Sequence, residues 1–297
     1  MDTNELVGDE QNGFRRGRSC IDHLSSLTSL IETRNKLKLE TFAAFVDFSK
    51  AYDRVDRQLL WGKLSQLGLS GKMLSALKAI YHDVQCSVRL NGVYTEWFQV
   101  TGGLKQGCLL SPLLFNLYVN DLIGEINSLE EGIEIGDERL NLLLYADDIV
   151  LVAPSEAGLQ SMLTCLNTWC NKWRLKINVD KTKVVHFRVT MVTGTPQTGA
   201  TFHCGDDVVD IVSQYRYLGL IVSEFMDYNI MSKAVAQSAG RALGLIIAKS
   251  KAYGGIPYEC FTKLYNALVI PMFNYGADIW GTREFTQSCE RHPQQGL

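Results

Sequence analysis

The chain of 297 residues is 46% hydrophobic and 21% charged, which excludes global disorder and leaves room for one large domain or about two ordinary ones. Its 29 Lys and Arg against 32 Asp and Glu give a net charge of −3, short of the basic excess of a strong nucleic-acid binder. No apolar run reaches the roughly 18 to 20 residues of a membrane span, and the acidic start MDTNELVGDE is unlike a signal peptide, so an intracellular chain without membrane contact is expected, its compartment open.

Ile21, Leu24, Leu27, Leu30, Ile31 and Leu37 recur at helical spacing over 20–38, with Ser19 placed as N-cap. TFAAFVDF (41–48) reads as a buried strand that delivers Asp47 at its C-terminal end. Helical patterns follow at 56–67, closed by Gly68, and at 71–82. Asn91-Gly92 between SVRL and VYTEWFQV predicts a hairpin with a type I′ turn. GGLKQGCLLSP (102–112) is a glycine-rich loop in which Ser111 caps, and Pro112 begins, an apolar helix to about 124.

LNLLLYADDIVLVA (140–153) predicts two buried strands joined at an acidic turn, and 155–173 an amphipathic helix. LKINVDKTKVVHF alternates like strands around a basic turn, 199–222 is strand-rich, and 228–250 and 258–274 read as helices. A mixed α+β domain over 1–222 followed by a small helical one over 223–297 is expected. The eight cysteines form no CxxC pair and are expected to be reduced and mostly buried. His203-Cys204 reads as a local detail rather than half a zinc site.

Acidic residues dominate 121–156, whereas Lys172, Arg174, Lys176, Lys181, Lys183 and Arg188 face only Asp180 over 172–188. A further basic cluster is Lys233, Arg241, Lys249, Lys251 and Lys263. Such polarity can set cations against a phosphate backbone and carboxylates against metals, or can be solvated helix faces. Asp47, Asp147 and Asp148 are more pointed, because a buried ionised carboxylate is costly without a partner. A divalent cation would satisfy all three; the plainer alternative is an Asp-Asp hairpin turn and a helix cap at Asp47.

The ordered text around them decides between these. QNGFRRGRS (11–19), FVDFSKAYDRV (45–55), GLKQGCLLSP (103–112), YADD (145–148), LKINVDKTK (175–183), YLG (217–219) and PMFNYGADIW (271–280) together resemble the reverse transcriptases of non-LTR (LINE-type) retrotransposons. Group II intron maturases have a similar palm, but KAYDRV and YGADIW are closer to the LINE group.

The resemblance implies a right-hand polymerase: a palm with an antiparallel sheet and packed helices, partial fingers, and a helical thumb-like region after 222, with the tail beyond 280 unplaced. It implies that Asp47, Asp147 and Asp148 are catalytic metal ligands for Mg2+, with Mn2+ as a substitute. By the same resemblance Tyr52 lies under the incoming sugar and excludes a 2′-hydroxyl, and Gln106 and Gly107 contact nucleotide and template. Lys181 or Lys183 stands near the pyrophosphate leaving group, which of the two being open, and Tyr217, Leu218 and Gly219 grip the primer end. The implied reaction is attack of a primer 3′-hydroxyl on a dNTP, directed by an RNA template. The match opens inside the fingers and includes no endonuclease domain, so a catalytically silent nucleic-acid-binding or interaction module derived from such an element is the alternative.

Overall fold

The helical spacing after Ser19 gives α1 (Cys20–Lys36) in the computed structural model, which describes residues 6–189 and 198–281. Ser19 opens it as a reciprocal cap: its Oγ accepts from the Asp22 amide at 3.2 Å, and Asp22 Oδ2 accepts from the Ser19 amide at 2.8 Å. The apolar run that follows is β1 (Thr41–Val46), buried at all six positions, as a strand covered on both faces must be. Next come α2 (Ala51–Arg54), α3 (Arg57–Gln66) and α4 (Gly71–Ile80). Asp56 caps α3, accepting from the Gln58 and Leu59 amides at 2.8 and 3.1 Å.

Four two-residue strands, β2 (Gln85–Cys86), β3 (Arg89–Leu90), β4 (Val93–Tyr94) and β5 (Phe98–Gln99), make an exposed arm in which β2 pairs with β5 and β3 with β4. At its tip Asn91 and Gly92 have φ of 51° and 87°, the two left-handed residues of the expected turn. Arg57 anchors the base of the arm, donating to the carbonyls of Gly103, Val100, Gly102 and Tyr81 at 2.8 to 3.2 Å.

The apolar helix after the glycine-rich loop is two helices, α5 (Ser111–Val119) and α6 (Asp121–Asn127). Leu110, not Ser111, holds the cap position; Ser111 is already helical, and its Oγ donates to the Lys105 carbonyl at 2.6 Å. A small hairpin, β6 (Ile133–Ile135) and β7 (Glu138–Leu140), precedes β8 (Leu142–Tyr145) and β9 (Asp148–Ala153). Ser155 caps α7 (Glu156–Trp173) by accepting from the Gly158 amide at 3.1 Å.

Of the strands expected over 175–187, only β10 (Lys183–Phe187) forms; residues 175–182 contribute one bridge, Phe48 to Ile177. With β11 (Phe202–Cys204) and β12 (Asp207–Ile211) the main sheet runs β11-β12-β10-β1-β9-β8. The β1–β9, β8–β9 and β11–β12 pairs are antiparallel, but β10–β12 is parallel, so the sheet is mixed rather than antiparallel throughout. Phe42, Ala44 and Val46 of β1 share a core with Phe115 and Tyr118 of α5 and Leu159, Met162 and Leu166 of α7.

Lys63 of α3 lies inside the helical layer, 5% exposed. Its ammonium is 3.5 Å from the Trp173 ring centroid, 4.8 Å from that of Tyr118 and 5.0 Å from that of Trp169. It donates to Asp121 Oδ1 at 2.5 Å and to the Tyr118 carbonyl. Burial lowers its pKa to about 8 against the opposing pull of Asp121.

Apart from most of α1, these elements belong to one compact unit, which among the described residues takes in 6–23, 39–186 and 198–212. Among the described residues the second comprises 24–38, 187–189 and 213–281, so it holds most of α1 and begins ahead of the expected boundary at 223. It contains the hairpin β13 (Gln214–Tyr217) and β14 (Leu220–Ser223), then α8 (Asn229–Ala252), α9 (Tyr258–Leu268), α10 (Ile270–Asn274) and α11 (Ala277–Trp280). Ala239, Ile246 and Val269 form a small buried cluster in it, with Phe261, Tyr265 and Phe273 packed around them.

Among the described residues no helix is long and apolar enough to cross a membrane. Of the seven described cysteines only Cys170 and Cys204 are buried, while Cys86 and Cys260 are exposed, so the expectation of mostly buried thiols does not hold. Cys289 and the expected tail from 282 on lie outside the described residues.

Candidate active site

The acidic turn is set by strand register. Tyr145 pairs with Asp148 across β8–β9, so Ala146 and Asp147 form a two-residue turn, and Ala146 takes φ 57°. Val46 pairs with Ile149 across β1–β9, and the next residue on each strand brings Asp47 level with Asp148. Asp47 and the adjacent Asp147 and Asp148, a hundred residues further along the chain, therefore share one end of the sheet.

Their electrostatics record the proximity. Burial, then the charges of Asp147 and Asp47, push Asp148 up to about 6; burial, with the charge of Asp47, raises Asp147. Asp47 is 27% exposed and accepts from Asn178 Nδ2 at 3.1 Å, with Lys181 Nζ 3.8 Å away. Its backbone is fixed on both sides: the amide donates to Thr182 Oγ1 at 3.2 Å and the carbonyl accepts from the Asn178 amide at 2.8 Å.

Among the described residues no three Asp, Glu, His or Cys side chains stand at the joint spacing of a metal site. The chemistry of the donors fits one nevertheless: carboxylate oxygens alone, which hard cations take as ligands, with a mutual repulsion that a bound cation relieves.

Tyr52 lies beside this group. Its ring stacks on Phe115, centroids 4.8 Å apart and planes 15° from parallel. Burial, then the charge of Asp147, push its phenol up to about 12, and its buried hydroxyl has no hydrogen-bond partner among the described residues. The Tyr52 carbonyl accepts from the Leu104 amide at 2.8 Å, tying α2 to the glycine-rich loop. Gln106 Nε2 donates to Asp53 Oδ1 at 3.3 Å.

Gly107 has φ 80° with open space where a Cβ would stand; the close backbone approach in this loop is at Gly103, whose Cβ would fall 2.8 Å from the Asp53 backbone. Glycine at 107 is thus required by conformation rather than by a neighbour in this structure.

The two candidate lysines part company. Lys183 pairs with Asp210 Oδ2 at 2.7 Å, across the parallel β10–β12 register, whereas Lys181 is the one near Asp47. Tyr217, Leu218 and Gly219 belong to the second unit. Tyr217 pairs with Leu220, so Leu218 and Gly219, at φ 43° and 84°, form the β13–β14 turn. Tyr275 Oη donates to the Leu218 carbonyl, and a Cβ on Gly219 would fall 2.8 Å from the Tyr275 ring.

Three residues at the first unit's site escaped the sequence reading: Asn178 and Thr182, which hold Asp47, and Gln11. The Gln11 side chain is 1% exposed; Oε1 accepts from the Ala146 and Gly13 amides, each at 2.8 Å, and Nε2 donates to the Ala146 carbonyl at 3.3 Å. Gln11 stands in the quoted QNGFRRGRS element, but nothing local points to a partner 135 residues away.

Residues 1–222 match the family model described as reverse transcriptase (RNA-dependent DNA polymerase). A probable RNA-directed DNA polymerase from transposon BS of Drosophila melanogaster is 29% identical over 95% of this chain and 31% of its own length. The Pol polyprotein of the type-2 retrotransposable element R2DM, from the same organism, is 27% identical over 71% of this chain and 20% of its own. The RNA-directed DNA polymerase from its mobile element jockey is 22% identical over 94% and 30%. The chain thus spans about a third or less of the length of these curated relatives. Among solved structures, a Candida tropicalis telomerase in complex with a TWJ fragment of telomeric RNA aligns with TM-score 0.51 at 13% identity, covering 96% of this chain and 46% of that one; this likeness is one of fold. The palm-like sheet, the carboxylates at its end and the family match agree: the chain belongs to the reverse transcriptase family, and its relatives are polymerases of non-LTR retrotransposons.

Proposed function

We propose that this chain is the RNA-directed DNA polymerase portion of a non-LTR retrotransposon protein, working inside the cell, and that it extends the 3′-hydroxyl of a DNA primer with dNTPs along an RNA template. The observation that carries this reading is the β1–β9–β8 register, which gathers Asp47, Asp147 and Asp148 so closely that Asp147 and Asp148 feel each other's charge or that of Asp47. Asp47, Asp147 and Asp148 would hold Mg2+, or Mn2+ in its place; polymerases of this family generally use divalent metals, and such an ion supplies charge neutralisation at the reacting phosphate.

The chain's own residues do the rest. Asn178 and Thr182 hold Asp47 in position so that its carboxylate need not reorganise during reaction. Tyr52, backed by Phe115, presents a rigid ring under the sugar, where a 2′-oxygen has no room. Lys181 rather than Lys183 supplies the cation that offsets charge on departing pyrophosphate, because Lys183 is engaged with Asp210. Gln106 and Gly107 offer an exposed side chain and a bare backbone to the nucleotide and template. Tyr217, Leu218 and Gly219 form a stiff turn for the primer end. Base pairing selects the nucleotide, so shape and backbone are all the protein reads.

Primer extension on a homopolymer RNA template, with Mg2+ or Mn2+, tests the reading. Asp147→Asn keeps the side-chain shape and removes the charge, so extension is expected to be abolished, a loss of several kcal/mol in barrier terms or about 10²-fold and more, with RNA affinity largely unchanged. Residual extension above about a tenth of wild type would overturn the assignment.

A further inference from the structure

We infer that Gln11 is a positioning residue for the catalytic turn: its side-chain amide clamps the backbone of Ala146 and thereby aims the Asp147 carboxylate. The inference rests on the polymerase reading for its consequence, though not for its geometry. A two-residue turn with left-handed backbone favours Asn or Gly, and this one has Ala146 at φ 57° followed by Asp147. An L-residue with a Cβ resists that conformation by roughly 1 to 2 kcal/mol, so something outside the hairpin must hold it.

Gln11 is built to do so. Its amide engages both polar backbone atoms of one residue, the Ala146 amide at 2.8 Å and the Ala146 carbonyl at 3.3 Å. Gripping N–H and C=O together fixes φ and ψ, and hence where the next side chain points. Gln11 is itself held as a strand partner of β8: the Leu144 amide donates to the Glu10 carbonyl at 2.8 Å and the Asn12 amide to the Leu144 carbonyl at 2.9 Å. Gly13 closes the clamp, since its amide shares Gln11 Oε1 and a Cβ there would fall 2.3 Å from the Ala146 nitrogen. Asn116 of α5 fixes Gly13 in turn, donating to its carbonyl at 2.7 Å. The bonds that join Gln11, Gly13, Asn116 and Ala146 are all buried, so each is held without competing water.

Two substitutions and three readouts test it. Gln11→Ala removes the whole clamp; Gln11→Glu keeps the acceptor for both amides and loses the donor to the Ala146 carbonyl. Amide hydrogen exchange on the metal-free chain should show Ala146 exchanging at least tenfold faster in Gln11→Ala while Val150 and Val152 in β9 stay protected. In primer extension, kcat should fall on the order of 10²-fold, as a misplacement of about 1 Å can produce, with KM for dNTP within about threefold. Gln11→Glu should lie between the two, and it supplies the readout if Gln11→Ala does not fold. Unchanged exchange at Ala146, or a loss confined to KM or to melting temperature, would overturn the inference. If the wild-type chain does not extend primers, the polymerase reading fails, and exchange at Ala146 still decides whether the clamp exists.

Discussion

Two regions of the first unit carry similar apolar hairpin text and meet opposite fates. Every residue of β1 is buried, as are those of β9 after Asp148, whereas every residue of β2 to β5 in the arm is exposed, Leu90 and Val93 near 70%, as is Trp97 just before β5. The β8–β9–β1 part of the main sheet, the floor of the site, is stabilised by apolar burial on both faces, and that surplus is what lets its end hold three repelling carboxylates. The arm is held by its two short strand pairs, its Asn91-Gly92 turn and the Arg57 anchor at its base. Stability and chemistry thus reside together in the floor, and the arm is free to present side chains outward.

The contrast can be broken most strongly at Phe45, 1% exposed next to the C-terminal end of β1. Phe45→Ala leaves a cavity that the flanking strands cannot close, and should destabilise the chain by about 3 to 5 kcal/mol in denaturant unfolding. Arg57→Ala comes next, because it strands four carbonyls at the base of the arm. Hydrogen bonds to a charged donor are worth roughly 1.5 to 3 kcal/mol each, but exposed carbonyls regain water, so a net loss of about 2 to 4 kcal/mol is expected. Limited proteolysis should then cut first between residues 82 and 102.

Asp148 sharpens the same contrast through pH. Its folded pKa, about 6, lies above the unfolded value, so the stability linked to its neutral form is complete below about 4 and is lost as pH rises through about 6. Asp148→Asn should therefore leave melting unchanged near pH 4 and raise stability at pH 7.5, by about 1 kcal/mol once the solvent reaching this group is allowed for. The comparison is made with divalent cations chelated, and equal effects at the two pH values would contradict it. The smallest effect belongs to the arm: Trp97→Ala, at a side chain 69% exposed, should change unfolding free energy by no more than about 0.5 kcal/mol.

Local signals were legible wherever the chain forms its own structure. Asn91-Gly92 announced its turn, Ser19 its helix, and the apolar flanks of Asp147-Asp148 a buried hairpin. What the sequence could not show depends on partners far along the chain. Lys181 and Lys183 look equivalent until parallel pairing sets Asp210 beside the second. Ser111 reads as a cap, yet the helix starts one residue earlier because the Lys105 carbonyl captures its hydroxyl. Residues 175–182 alternate like a strand, but the backbone there turns to hold Asp47 instead of pairing along an edge. Periodicity reports which face is apolar; it carries nothing about which polar side chain, a hundred residues on, completes a bond.

Lys63 gives the molecule an optical property. Its ammonium stands against the rings of Trp173, Tyr118 and Trp169, and burial lowers its pKa to about 8. A cation against an indole face perturbs the electronic transitions of that ring, so deprotonation should appear as a change in tryptophan near-ultraviolet dichroism with a midpoint near pH 8 and no change in helix signal. In Lys63→Met the step should vanish, leaving a spectroscopic marker, internal to the helical layer, for whether α3, α5 and α7 remain assembled.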